Sequence, residues 1–208
     1  MSSPAAAAPG LRELKKQRTR ATIADAALQL FISRGFDTVT VAEVARAAEV
    51  SEATVFNYFR TKEDLVYDRL EQFWARFIGV VEHRPHGQGV VDAVEGFLLN
   101  QEPAALAPEQ QERLSAINRM IAESPALLAR EQASYDQAAT ALAEVIARTT
   151  SIRADAAAAA HMLLGVHKAL VAYTREQVRA GADVATLNRR VAARTRSGYA
   201  LLRRGLII

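Results

Sequence analysis

Cysteine is absent from the 208 residues. That excludes disulfides and thiolate metal sites and fits a protein of a reducing cytoplasm. Proline and glycine are sparse, at 6 and 10 residues, and the aromatic side chains include a single tryptophan. No uninterrupted apolar run approaches the roughly eighteen residues of a membrane span, so no membrane partner is expected. Sustained alternation of apolar and polar residues between turn signals is missing too, which argues against strands. The opening MSSPAAAAPG has neither an early basic region nor a leucine-rich core. It reads as a disordered leader and not as a signal peptide. An excess of one charge is also lacking, since Lys and Arg number 26 against 23 Asp and Glu, for a net +3. The distribution is less even. Arg12, Lys15, Lys16, Arg18 and Arg20 face only Glu13 within one decapeptide, leaving the rest of the chain near neutral. Residues 1–17 are therefore expected to form a disordered basic arm, a composition suited to phosphate contact, with Arg18 at its end as a DNA-contact candidate.

What is present is helix-forming. Ala, Leu, Arg, Glu and Gln dominate. A first helix is expected over Thr19–Ser33, ended by Gly35. Thr40 caps a second over Val41–Ala48, with Glu43 completing a capping box. Ser51 caps a third over Glu52–Phe59, and Thr61 a fourth running from Lys62 to about Val81. After the linker-like HRPHGQG at 83–89, further helices are expected at Val90–Asn100, Pro108–Glu123, Pro125–Thr149, Ala154–Ala180 and Val184–Arg204. The fold class is all-α. An N-terminal helix-turn-helix domain of three helices (18–62) precedes a larger helical domain (63–208).

The second and third helices, joined by Glu49-Val50-Ser51, have helix-turn-helix spacing. Val44 and Val55 can fill the space between them, and Ala45 is small where they approach. Side chains in the first turns of the second motif helix could reach base edges in a major groove. Asn57 can pair with adenine, Glu52 can accept from cytosine, and the Thr54 methyl can touch thymine. Each also has a plain structural reading: Glu52 as a helix-start residue, Asn57 as a surface spacer, Phe56 as core.

The stretch TVTVAEVARAAEVSEATVFNYFRTKEDL (Thr38–Leu65), preceded by AALQLFISRGF, resembles the DNA-binding signature of TetR-type transcription regulators. The resemblance covers about the first third of the chain. It implies that Thr40, Tyr58 and Lys62 meet phosphates, that Ser51, Glu52, Ala53, Thr54 and Asn57 face the major groove, that Phe56 lies along the DNA backbone, and that Phe59 is buried. Glu49 stands where the family commonly has Gly, and Asn57 where an aromatic or His is common. The family further implies a homodimer through the last two helices, with Leu187, Val191, Tyr199 and Leu202 as a packing stripe. A palindromic operator on double-stranded DNA follows from that symmetry, with nucleoid association when bound, and so does a small apolar or amphipathic effector that releases a repressor. Tilting of the fourth helix, continuous with the reader, would carry the signal.

Bulky side chains beyond the reader are candidates for the effector site: Phe73, Trp74, Phe77, Phe97, Met120, Tyr135, His161, Met162 and His167. Each is equally a core candidate. The six-residue spacing of His161 and His167 does not place them on one helix face, and His83 and His86 have no carboxylates beside them, so no metal and no cofactor is expected. The rival reading is an all-helical carrier or enzyme using His161, His167 or Glu123 in acid–base roles. It lacks a nucleophile–base pair and a phosphate loop, so no catalytic residue is assigned. A helix-turn-helix used for protein contact is a third reading, and the basic segment speaks against it.

Overall fold

The computed structural model describes residues 10–100 and 108–205. The expected leader, apart from Gly10, lies outside them. The described residues form nine α-helices and no strand: α1 (Leu11–Arg34), α2 (Val41–Ala47), α3 (Glu52–Tyr58), α4 (Leu70–Glu82), α5 (Val90–Leu99), α6 (Pro108–Glu123), α7 (Pro125–Thr149), α8 (Ala156–Arg179) and α9 (Val184–Arg204). They fall into two compact units, residues 1–68 and 69–208.

In the first unit α1 packs on α2, α2 on α3, and α1 also on the short 3-10 turn Glu63–Leu65. The core is Ile23, Ala27, Phe31, Phe36, Val39, Val44, Val55, Phe59 and Leu65, all buried. The capping box at Thr40 forms as the sequence requires, with Glu43 N–H donating to the Thr40 hydroxyl and Thr40 N–H to the Glu43 carboxylate. Ser51 likewise accepts from Thr54 N–H at 3.1 Å.

Two expectations are corrected here. Leu11–Gln17 is helical, the first two turns of α1, and not a disordered arm. Leu, Glu, Lys, Gln and Arg all favour helix, and nothing after Gly10 breaks it. The fourth helix does not begin at Lys62. Thr61 and Asp64 exchange side-chain-to-backbone hydrogen bonds, but the helix they open is only the turn Glu63–Leu65. Leu65 and Tyr67 are buried and Asp68 pairs with Arg20. These residues thus belong to the first unit, and the boundary falls at 68/69 instead of 62/63. The helix proper restarts at Leu70.

In the second unit α7 packs against α4 and α8, α8 against α9, and α5 against α4 and α9, while α6 lies on α7 and α8. The core gathers Trp74, Phe77, Val81, Val94, Tyr135, Leu142, Ile146, Ala160, Leu163, Leu164 and Tyr199. Its polar atoms are matched. Trp74 Nε1–H donates to Ser134 Oγ at 2.8 Å, and the Tyr199 hydroxyl donates to the Leu163 carbonyl at 3.0 Å. Arg84 ties the loop after α4 to the end of α7 through Thr149. Among the described residues, Arg153–Arg179 alone is long and apolar enough on average to cross a membrane. Here Ala156, Ala160, Leu163, Leu164 and Leu170 of that stretch are buried in the core of this unit. On α9, Leu187 and Tyr199 are buried, Val191 is partly buried, and Leu202, also partly buried, packs on the core of this unit.

Candidate nucleic-acid interface and internal cavity

The helix-turn-helix is held from both ends of its turn. At the end of α2, Val50 N–H donates to the Ala45 carbonyl at 2.9 Å and Glu49 N–H to that of Arg46 at 3.2 Å. This pair of bonds is a Schellman closure, which needs a left-handed residue at Glu49. Glu49 has φ 55°, the one described non-glycine residue with positive φ. The turn is therefore kept in its usual geometry, with an ordinary side chain under strain.

The face that α3 leaves open carries Glu52, Ala53, Phe56 and Asn57, all exposed; Thr54 and Tyr58 are partly buried, and Val55 is buried beneath them. Phe56 is 51% exposed, which excludes the core reading. Phe59 is buried, as expected. The Ser51 and Thr54 hydroxyls lie 2.8 Å apart and bond to each other, restraining the first turn.

Three residues near this face are more engaged than the sequence indicated. The Thr40 hydroxyl already donates to Glu43 Oε2 at 2.9 Å, and Arg34 meets the same carboxylate at 2.8 Å. The hydrogen bond from Thr40 N–H, followed by those from Arg34 and the Thr40 hydroxyl, holds Glu43 down at about 2. The Lys62 ammonium sits 4.3 Å from the centre of the Phe36 ring, a cation–π seat that fixes its position. Arg20, counted in the basic segment as a candidate for phosphate, instead donates to the Tyr58 carbonyl at 2.8 Å, pairs with Asp68 and lies 4.6 Å over Phe59. It anchors the C-terminal end of α3 to α1. Nothing local in the sequence marks this role, because its partners lie 38 and 48 positions away. Arg18 is exposed on α1.

The second unit contains a cavity of about 200 Å³, walled by α4, α5, α8 and α9. Of the nine side chains proposed from sequence, Phe73 and His167 line it. Trp74, Phe77 and Tyr135 form an aromatic layer behind these two. The Phe73 and His167 rings stack at 5.1 Å, Trp74 lies 5.3 Å from His167, and Phe97 lies 5.7 Å from Phe73. The Tyr135 hydroxyl and His167 Nδ1 are hydrogen-bonded at 2.9 Å. Burial lowers His167 to about 4, so the ring is neutral at physiological pH. His161 and Met162 are exposed on the outer side of α8 and do not reach the cavity; Met120 is buried on α6 and does not line it either.

The sequence reading missed the α9 wall of Asn188, Val191, Ala192 and Thr195. Small and β-branched residues on a helix carry no signal distinguishing a cavity wall from core. A second, wider groove of about 640 Å³ between α4 and α5 has Arg76, His83 and Arg84 at its edge. Arg84 is committed there to the Val81 and Thr149 carbonyls. Among the described residues no cluster of His, Asp or Glu could hold a metal.

Residues 23–67 match the family described as bacterial regulatory proteins, tetR family. The transcriptional regulator TcmR of Streptomyces glaucescens is 28% identical over 170 residues, covering 78% of this chain and 74% of that one. The uncharacterised regulator YvkB of Bacillus subtilis is 44% identical over 54 residues, 26% of this chain and 29% of its own length. Among solved structures, a TetR-family regulator from Syntrophomonas wolfei superposes with a TM-score of 0.57 at 20% identity, over 93% of this chain and 98% of that one. That likeness concerns the fold.

Proposed function

We propose, from the match of residues 23–67 to the tetR-family model, that this chain is a TetR-type homodimeric repressor that reads a palindromic operator with α3 and leaves it when a small molecule occupies the cavity of the second unit. The observation that carries the reading is the face of α3. Glu52, Ala53, Phe56 and Asn57 stand exposed side by side on a helix capped by Ser51 and anchored by Arg20. A short helix held this firmly yet left uncovered is suited to entering a major groove. In this reading Ser51, Thr54 and the exposed four meet base edges and the sugar–phosphate backbone. Tyr58, Lys62, Thr40 and Arg18 meet phosphates, which position and do not specify. Thr40 would have to share its hydroxyl with Glu43.

Support for a dimer comes from α8. Ala158, Met162, Gly165, Ala169 and Ala172 are all exposed, and their spacing of three and four places them on one stripe of small and apolar side chains, with the exposed His161 beside it. Against a second copy such a stripe lets backbones approach closely, and a two-fold axis there requires a self-complementary contact. Two readers about 34 Å apart then match successive major grooves on one side of the duplex, which makes the operator palindromic.

Release follows from linkage. An effector that binds more tightly to the state unable to span both half-sites shifts the population toward it. The signal cannot travel along one unbroken helix, since residues 66–69 interrupt it before α4. Fluorescence anisotropy with DNA from the gene's own upstream region tests the proposal. Salt-sensitive binding that prefers a palindromic segment and saturates at two chains per site is expected. Binding without sequence preference would overturn it.

A further inference from the structure

The cavity of the second unit has a selective lining. Its eleven residues include no Asp, Glu, Lys or Arg. Four are polar: His167, Asn188, Thr174 and Thr195. The Thr174 hydroxyl donates to the Leu170 carbonyl at 2.8 Å and that of Thr195 to the Val191 carbonyl at 2.9 Å. Both hydroxyl hydrogens are spent inside the helices, and what these oxygens offer the cavity is weak acceptance. His167 is tied at Nδ1 to Tyr135, which fixes the ring and leaves its other nitrogen as the remaining polar atom of the imidazole. Burial keeps that ring uncharged.

Resting on the reading of this cavity as the effector site, we propose that its ligand is an uncharged, ring-containing molecule of about two fused rings, with one polar group for His167. Carboxylates, phosphates and ammonium ions are excluded. The size follows from the volume. A cavity of about 150 Å³ accommodates benzene, and this one, at about 200 Å³, is partly open, so a second fused ring can extend toward its mouth. The ring preference follows from the aromatic lining, since Phe73 and His167, whose rings lie 5.1 Å apart, both border the cavity. The exclusion follows from desolvation. A charged group entering here loses part of its water and finds no counter-charge among the lining residues.

Isothermal titration calorimetry of the full chain at pH 7.5 tests this with three probes of one shape: naphthalene-2-carboxamide, naphthalene-2-carboxylate and 2-naphthylmethylammonium. The carboxamide is expected to bind at one site per chain, and each ion about a hundredfold more weakly or not at all. Filling the cavity with Ala192→Leu should abolish carboxamide binding. Val171→Phe, at a partly exposed position, serves the same purpose should the first variant fail to fold, as judged by circular dichroism. A charged probe that binds as tightly as the carboxamide overturns the proposed ligand class while leaving the effector site standing. Carboxamide binding that survives in a folded filled variant places the ligand elsewhere and overturns the proposal. Failure of all three probes to bind overturns the effector-site reading and the ligand class with it.

Discussion

Replacing Glu49 by glycine should stabilise the first unit without touching the reading face. Glu49 closes α2 with φ 55°. The same closure recurs at the end of α8, where Ala182 N–H donates to the Gln177 carbonyl and Gly181 N–H to that of Val178. There the left-handed position, φ 74°, is occupied by glycine. The left-handed conformation costs a side-chain-bearing residue about 1–2 kcal/mol. Glycine gives back about 0.4–1 kcal/mol through the greater freedom of its unfolded chain. The net gain expected for Glu49→Gly is therefore about 0.5–1 kcal/mol. In a unit of this size that corresponds to a rise in Tm of about 2–8 °C. The assay is thermal and urea unfolding by circular dichroism, with Glu49→Ala beside it. Alanine removes the same charge but keeps the strain, so it should leave stability within about 0.5 kcal/mol of the parent. Trp74, the single tryptophan, lies in the second unit, and its fluorescence separately reports unfolding there. Equal stabilisation by Ala and Gly would refute the argument from backbone strain and point to the carboxylate.

Ser134→Ala should cost about 1–3 kcal/mol in urea unfolding, because it strands the buried Trp74 N–H, and should shift the tryptophan emission. The stability that His167 contributes should be fully present above its unfolded value of about 6.5 and be lost as pH falls toward about 4, where the folded ring protonates. Up to about 3 kcal/mol is at stake, and unfolding between pH 7.5 and 4.5 should be less pH-dependent in His167→Asn than in the parent. Lys62→Ala should weaken binding to all DNA sequences alike and reduce the slope of log affinity against log salt by about one. Sequence-selective loss in that variant would contradict the phosphate role.

Much of the first unit could be read from the sequence because its signals are local. The Thr40–Glu43 capping box and the Ser51 cap each depend on residues three positions apart, Val44 and Val55 are placed by the helix-turn-helix spacing, and the burial of Phe59 was implied by the TetR resemblance. The errors lie where distant partners decide. Arg20 looked like a free cation until Asp68 and the Tyr58 carbonyl came beside it. The apolar period through Val66, Leu70, Phe73 and Phe77 suggested one long helix, yet burial of Leu65 and Tyr67 in the first unit breaks it. The cavity was legible only in part. Of the bulky side chains singled out, Phe73 and His167 border the cavity and Met162 is exposed, since periodicity alone cannot tell which side of α8 faces inward. The α9 wall, made of Val191, Ala192 and Thr195, resembles any helix interior.

Asn57→Ala tests most directly whether α3 is the element that reads DNA. Asn57 is exposed on α3, outside the buried core of the first unit, so its loss should leave the melting temperature unchanged. Anisotropy titrations of parent and variant against the preferred upstream segment and against a scrambled duplex of equal length should separate the two kinds of binding. A loss of about 1–3 kcal/mol on the preferred segment, with affinity for the scrambled duplex unaltered, is the predicted result. Unchanged discrimination between the two duplexes in Asn57→Ala and in Glu52→Ala would contradict the claim.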